Sequence, residues 1–234
     1  MIIMNDGLYA VITGDLIDSS KFVNNEWQKV ASLLYESFRI VENETVPNEA
    51  FQYKFEIYRG DSFQGVLKNP EFALKTAITI LTYLQTHPVN NKMVLPRLSI
   101  GIGTIDYFSS SDKISESDGE AFRNSGRILD EMKKKNEMLK VTTPESRLND
   151  IFDVQCTFFD VLCDKWKIED SEALFGKMKN LTQEQIAFEY GISQSAVSYR
   201  LKSAGYKAVK KFIRYYEKLF QNNNDLKDLY GSVR

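Results

Sequence analysis

Strand-like and helix-like segments alternate over the first 140 residues, with a hairpin-like pair of strands in the middle of this order. The strand-like runs are 8–13, 53–58, 62–67 and 97–105, and the helix-like runs are 27–41, 72–84 and 120–139. The strands are short and apolar, whereas the helices repeat apolar residues every three or four positions. The order β-α-β-β-α-β-α predicts a ferredoxin-like sheet, also called a palm, with helices on one face.

A helical region follows this sheet. Thr142-Thr143-Pro144 ends the last helical pattern and is typical of a linker, and from Asn149 onward the periodicity is helical only. The sequence therefore predicts an α+β chain with two parts. A palm domain would cover residues 1–142, and an all-α domain would cover residues 143–234.

Residues 181–205 have the pattern of a helix-turn-helix. Thr182 and Ser193 are suited to cap two short helices, because their hydroxyl groups accept hydrogen bonds from the free N–H groups of a first turn. Gly191 lies where the first helix must end, and glycine adopts a left-handed conformation there at little cost. Val197 and Leu201 are four residues apart, so we expect them to bury the inner face of the second helix.

The outward face of that second helix is polar, and the chain beyond it is basic. Between residues 196 and 218 there are seven lysines and arginines, and Glu217 is the one acid. The first residues of a recognition helix reach base edges, and basic side chains bind phosphates. A net charge of −2 argues against a protein that coats nucleic acid indiscriminately. The predicted interface with double-stranded DNA consists of Gln194, Ser195, Ser198, Tyr199, Arg200, Lys202, Lys207, Lys210 and Lys211.

Two aspartates lie where the predicted sheet could bring them together. Asp15 follows the first strand, and Asp61 lies in the hairpin turn. If the first strand is central and pairs with the hairpin, both carboxylates lie at one edge of the sheet and suit Mg²⁺ carrying a triphosphate. The alternative is that Asp15 caps a turn and Asp61 only makes the hairpin turn. The two acids by themselves favour that alternative.

Four sequence blocks fall in the order seen in class III nucleotidyl cyclases, which the chain resembles over residues 8–140. The blocks are 10–22, 56–66, 97–104 (Arg-Leu-Ser-Ile-Gly-Ile-Gly-Thr) and 118–130. The resemblance implies that Asp15 and Asp61 bind Mg²⁺ or Mn²⁺ with a nucleoside triphosphate. It also implies that Arg127, eight residues after Gly119, is a catalytic residue that stabilises the transition state.

The chain departs from the family pattern around the nucleotide. Arg123 stands where the family has an asparagine, with Asn124 one position off, and Ile57 replaces the lysine that selects the purine. These changes favour a domain that binds a nucleotide without cyclising it, or one that acts on a different nucleotide. The nucleotide-binding residues that the resemblance implies are Asp18, Glu116, Arg123 and Asn124.

Two further resemblances concern the remainder of the chain. The spacing in residues 181–205 resembles region 4 of sigma factors, and the whole chain resembles SatD-like bacterial proteins. Class III sites form between two subunits, so the resemblance implies a homodimer, which would also place two recognition helices on a two-fold operator.

Apolar runs too short to span a membrane and an N-terminus without a secretory pattern predict a cytoplasmic protein with no membrane partner. We expect Cys156 and Cys163, seven residues apart, to be reduced thiols.

Three functions remain open at this point. The first is a ligand-responsive transcriptional regulator, which uses every feature described. The second is an active nucleotidyl cyclase with a regulatory helix-turn-helix attached; the two aspartates and Arg127 support it, whereas Ile57 and Arg123 weaken it. The third is a protein–protein adaptor, against which the basic run after Ala196 argues.

Overall fold

A computed structural model describes residues 7–109 and 114–221. The outer ends of the two expected domains, residues 1–6 and 222–234, lie outside these ranges. The strands are β1 (Tyr9–Leu16), β2 (Phe51–Arg59), β3 (Ser62–Leu67), β4 (Pro96–Gly103) and β5 (Leu139–Thr142). The helices are α1 (Asn24–Ile40), α2 (Ala73–Gln85), α3 (Glu120–Lys135), α4 (Ser146–Cys163), α5 (Ile168–Met178), α6 (Gln183–Tyr190), α7 (Gln194–Ser203) and α8 (Tyr206–Gln221).

The five strands form one sheet in the order β2-β3-β1-β4-β5. The strand β1 is central and antiparallel to both β3 and β4, and β2 and β3 form the expected hairpin. The order of the first four strands is that of a ferredoxin-like fold. The mixed α+β character and the hairpin predicted from the sequence are therefore confirmed.

The expected helix over 120–139 is corrected, and Thr142, the first residue of the expected linker at 142–144, is the last residue of a strand. The helix α3 ends at Lys135 because Asn136 adopts the left-handed conformation (φ 56°). Four residues then form β5, which pairs in parallel with β4. The carboxylate of Asp160 on α4 accepts hydrogen bonds from the backbone N–H groups of Met138 and Leu139 at 2.9 and 3.2 Å. A partner in a later helix therefore fixes where this strand begins.

Helices cover both faces of the sheet rather than one. Even-numbered residues of β1, such as Ala10 and Ile12, join the main core, to which α1 and α2 contribute. Odd-numbered residues face α3, and the hydroxyl of Thr13 donates a hydrogen bond to Ser125 of that helix at 2.9 Å. A Cβ atom on Gly101 of β4 would lie 2.3 Å from the carbonyl oxygen of Ala121. The helix α3 can therefore lie against the sheet only because this position has no side chain.

The C-terminal helices share the main core with the sheet. One cluster of buried apolar residues extends from Ala10 to Phe220. Polar contacts also cross the expected boundary at residue 142, since the hydroxyl of Ser171 donates to Gln85 at 2.9 Å. The division into two domains stays a prediction.

Cys156 and Cys163 are buried and free on α4, as the sequence predicts. Burial raises the pKa of both thiols. Within the described residues, no helix is both long enough and apolar enough to cross a membrane.

Candidate functional site

The turn between α6 and α7 has the local structure that the sequence predicts. The hydroxyl of Thr182 accepts a hydrogen bond from the backbone N–H of Gln185 at 3.2 Å, and the hydroxyl of Ser193 accepts one from Ala196 at 3.2 Å. Gly191 adopts the left-handed conformation (φ 63°). Both expected caps and the expected glycine turn are confirmed. A positive φ at Gly191 makes any larger residue costly there.

Two faces of α7 differ sharply in exposure. Val197 and Leu201 are buried against the core. The opposite face is open to solvent, and the Tyr199 side chain there is 74% exposed. The other exposed residues of the expected DNA interface are Gln194, Ser195, Ser198 and Lys202 on α7 and Lys207, Lys210 and Lys211 on α8. A polar helix face with cationic side chains beside it is therefore available to an external partner.

Arg200 differs from the other residues of that expected interface. Its guanidinium donates a hydrogen bond to the carboxylate of Glu172 on α5 at 2.8 Å, and both side chains are only about one-fifth exposed. This ion pair connects α7 to α5. In this arrangement Arg200 holds the two helices together rather than facing solvent.

At the other end of the chain, Asp15 is enclosed by two cations. The register of β1 and β4 places Asp15 opposite Arg97. The Nη1 atom of Arg97 donates to Oδ1 of Asp15 at 2.9 Å, and the Nζ atom of Lys133 on α3 donates to Oδ2 at 2.8 Å. The Asp15 side chain is 4% exposed. Arg97 also donates through Nε to the carbonyl oxygen of Glu137 at 3.1 Å, so the guanidinium itself is held in place.

The pKa of Lys133 is affected by acids in addition to Asp15. The hydrogen bond to Asp15 raises the pKa of Lys133, and the negative charges of Asp15, Asp130 and Asp61 act in the same direction. Asp61 lies in the tight turn after Gly60, which has a φ of 55°. The sheet therefore collects acidic groups at the end that the sequence indicates, but Lys133 lies among them.

These residues do not fit a divalent metal as they are arranged. Each carboxylate oxygen of Asp15 is bound to a side-chain cation, and a metal ion would have to displace one of them. Across residues 7–109 and 114–221, no three histidine, cysteine, aspartate or glutamate side chains are grouped so that they could hold a metal ion. Asp15 is therefore bound by cations of the chain itself, and metal binding by Asp15 and Asp61 stays a prediction that this arrangement does not favour.

The residues expected around a nucleotide are placed elsewhere. Arg123 forms ion pairs with Asp106 at 3.1 Å and Asp118 at 3.2 Å. The side-chain amide of Asn124 donates to the carbonyl oxygen of Ile102 at 2.9 Å. Glu116 accepts a hydrogen bond from the hydroxyl of Ser109 at 3.0 Å. These three residues therefore make contacts near the start of α3.

Two of the expected residues are exposed. Asp18 lies just after β1 in a left-handed conformation (φ 52°), and Arg127 lies on α3.

Ten residues of helix separate Arg123 from Lys133, a rise of about 15 Å. A single chain therefore does not bring Arg123 and Asn124 to the end of the sheet where Asp15 lies.

Sequence reasoning missed the two residues that decide the state of Asp15. Arg97 is the only charged residue in the otherwise apolar strand β4, and an antiparallel register with β1 would have pointed to it. Lys133 begins a run of three lysines that is typical of a solvated helix end. Nothing in that run distinguishes Lys133 from its neighbours.

Comparison with known proteins places nearly all of the described chain in one family. The sequence model of the SatD family matches residues 9–219. The chain belongs to the SatD family. No curated protein matches its sequence.

Among solved structures, the SatD-family chain is similar to the active GGEEF domain of a diguanylate cyclase from Vibrio cholerae. The two share 17% identity with a TM-score of 0.41, over 58% of this chain and 83% of that chain. It is also similar to a bacterial light-regulated adenylyl cyclase at 18% identity and a TM-score of 0.42, over 61% of this chain and 44% of that chain.

Proposed function

We propose that this SatD-family protein binds double-stranded DNA through α7 and acts as a transcriptional regulator. The observation that carries the proposal is the exposed face of α7, where Tyr199 is 74% exposed. The major groove of DNA admits an α-helix, and hydroxyl and amide side chains bond to base edges there. Gln194, Ser195 and Ser198 supply such groups from the first half of the helix.

Charge placement supports the same surface. Lys207, Lys210 and Lys211 are exposed on α8, which begins three residues after α7 ends. Lysines beside a recognition helix bind phosphates and release condensed counterions, so the affinity falls as salt rises. The whole chain has a net charge of −2, so the local excess of positive charge on α8 should attract the DNA phosphates to this face of the protein rather than to others.

The geometry supports a nucleotidyl cyclase less well. Asp15 is paired with Arg97 and Lys133. Arg123 and Asn124 lie near the start of α3, about 15 Å along the helix axis from Lys133. The sheet region therefore enters the proposal as a regulatory part of the protein rather than as a catalytic one.

Fluorescence anisotropy with a labelled duplex tests the electrostatic part. We expect Lys207→Ala, Lys210→Ala, Lys211→Ala in one variant to weaken binding and to lower the slope of log affinity against log salt by about 0.9 for each phosphate that the variant no longer neutralises. The matched control removes three exposed lysines elsewhere, namely Lys29, Lys134 and Lys135. Equal weakening by both variants, or no binding by the wild type at about 50 mM salt, would contradict the proposal.

A selection from random duplexes tests the base-reading part. Ser195→Ala and Tyr199→Ala should each weaken binding to the selected sequence by about 1–3 kcal/mol. Binding to unselected DNA should change little, because phosphate contacts supply most of it. If both variants retain the wild-type preference, α7 does not read sequence.

We also propose that the active species is a homodimer. A two-fold pair of recognition helices matches the two half-sites of an operator. Sedimentation of the full chain at the concentration that binds DNA tests this, and a strict monomer with full sequence selectivity would contradict it.

A further inference from the structure

The helix α4 has an apolar stripe on its solvent side. The exposed side chains of this α4 stripe are Ile151, Val154, Phe158 and Val161. Neighbours in the stripe are three or four residues apart, so all four lie on one face of the helix. Phe158 is 69% exposed, and the other three are between 42% and 55% exposed. The opposite face of α4 packs into the main core through Phe152 and Phe159, so the stripe is a second apolar face of the same helix.

A groove of about 560 Å³ lies beside this stripe, between α4 and α8. Leu162 and Phe158 line it from α4, and Phe212 and Tyr215 line it from α8. Gln155 also lines the groove, and within the described residues its buried Oε1 atom has no hydrogen-bond partner. Buried acceptors are nearly always paired. The same face of the protein therefore carries a projecting ring, a hollow and an acceptor that lacks its donor.

The apolar area of this face is close to what one half of a dimer interface needs. A fully covered aromatic side chain buries about 150–250 Å². With about half of each side chain exposed, the α4 stripe presents on the order of 400 Å² of apolar surface, to which the groove walls add. A standard interface covers about 800 Å² on each partner, and about 65% of a homodimer interface is apolar.

Opposite charges flank the two sides of this face. Helical periodicity places the exposed Asp150 and Asp164 on the edge of α4 that faces away from the groove. The edge of α8 that borders the groove carries the exposed Lys211 and Lys218. The face is therefore acidic along one side and basic along the other.

The acidic and basic edges also match in height along the helices. Phe152 stacks on Phe220 and Phe159 contacts Phe212, so α4 and α8 are antiparallel. By this alignment Asp164 lies within about one helical turn of the height of Lys211, and Asp150 lies within about one turn of the height of Lys218. A two-fold axis that runs between α4 and α8, parallel to both, places the acidic edge of each copy over the basic edge of the other.

We infer that the α4 stripe and the groove between α4 and α8 form the interface between two copies of this chain, with Phe158 of each copy seated in the groove of the other. The inference rests on the homodimer of the proposed function and assigns its interface. A two-fold interface pairs one patch with itself, so that patch must carry both the projection and the hollow. Lys211 also belongs to the surface proposed to bind DNA, so the two surfaces adjoin on α8.

Sedimentation equilibrium of the full chain tests the inference. We expect the wild type to be a dimer and Phe158→Asp to raise its dissociation constant roughly 100-fold or more, because the loss at a buried anchor occurs once in each copy. Tyr35→Asp introduces the same charge at another exposed aromatic residue, on α1, and should leave the dimer intact. Circular dichroism establishes that each variant is folded.

A charge reversal tests the pairing of the edges without changing the apolar face. Asp164→Lys and Lys211→Asp should each weaken the dimer by roughly three- to tenfold, because each places like charges opposite one another. The double variant restores opposite charges and should recover most of the wild-type affinity. A double variant that dimerises no better than the single variants overturns the inference.

The remaining outcomes separate this inference from the proposed homodimer. A wild-type dimer that a folded Phe158→Asp variant retains overturns the inferred interface and leaves the homodimer in place. A wild type that is a strict monomer overturns both, whichever other partner then covers this face. Fluorescence anisotropy of the same samples with an unselected duplex reports separately on DNA binding by α7.

Discussion

Two regions that the sequence marks as functional have their polar groups arranged in opposite ways: the α7 surface, which is the exposed face around Tyr199, and the Asp15 cluster, which is Asp15 with Arg97 and Lys133. On α7 the hydroxyl, amide and ammonium groups point to solvent, and Tyr199 is 74% exposed. Around Asp15 the polar groups bind one another, and the aspartate side chain is 4% exposed. Residue type alone does not separate these cases. What separates them is whether the chain itself already supplies the partner.

Because of this difference, the two regions should differ in how much a mutation destabilises the protein and in whether they can bind an external partner. A buried charge that has its partner in the fold resists mutation, because losing one member leaves the other desolvated and unpaired. An exposed side chain costs little to replace and retains its full capacity for an external ligand. Mutations should therefore change stability at the Asp15 cluster and affinity at α7.

The largest expected effect is on stability at the ion pairs of Asp15 with Arg97 and Lys133. Asp15→Ala leaves the buried Arg97 without its carboxylate and should lower the free energy of unfolding by about 3–5 kcal/mol. Urea denaturation measures this change. Asp61→Ala, in the hairpin turn, is the matched control and should cost less than about 1 kcal/mol. Equal losses of stability would show that the two aspartates are not distinguished by burial.

The close approach of α3 to the sheet should produce the next largest effect. Gly101→Ala places a methyl group where the carbonyl oxygen of Ala121 lies, and should lower the free energy of unfolding by about 1–3 kcal/mol. Gly126→Ala, on α3 itself, places a methyl group where no atom lies within 4 Å, and it should instead raise the free energy of unfolding by about 0.5–1 kcal/mol. Thermal unfolding of the two variants compares them directly. A neutral Gly101→Ala would mean that α3 lies further from the sheet.

The carboxyl group of Asp160 should make the free energy of unfolding depend on pH. Burial raises the pKa of Asp160 to about 6, although hydrogen bonds from Met138 and Leu139 oppose the shift. Between pH values of about 4 and 6 the folded chain then binds more protons than the unfolded chain, so the free energy of unfolding falls as the pH rises through this range.

We expect this single group to contribute about 1–2 kcal/mol across that range. Asp160→Asn should flatten the dependence when urea midpoints are measured at several pH values. Asp164→Asn, at the end of the same helix, should leave the slope in place. A slope that survives Asp160→Asn would assign the effect to another carboxyl group.

The smallest expected effect concerns Arg200, which lies at the edge of the α7 surface and is paired with Glu172. Glu172→Gln removes the ion pair that holds Arg200, and should cost less than about 1 kcal/mol because both side chains are partly exposed. It should also release the guanidinium beside the α7 surface and raise DNA affinity by roughly threefold at low salt. Anisotropy titrations detect such a change. Glu184→Gln, an exposed acid on α6, is the control for the removal of one negative charge.

Much of the helical part was accessible from the sequence. The caps at Thr182 and Ser193 and the left-handed Gly191 follow from interactions within three or four residues, which residue type controls directly. The hairpin of β2 and β3 is local in the same sense. The strand β5 was not accessible, because its four residues are too few for a pattern and its start depends on Asp160, more than twenty residues later.

The sequence by itself determined the order of helices and strands from β1 to α3, the caps that begin α6 and α7, and the concentration of lysines after residue 200. Only the tertiary structure decided that Asp15 is enclosed, since Arg97 is 82 residues away along the chain and Lys133 is on another element. Helix caps and periodicity are set by neighbouring residues, whereas the partner of a buried charge is set by sheet register and helix packing. A carboxylate with an open coordination site and one already bound by two cations are therefore identical in sequence and distinct only after folding.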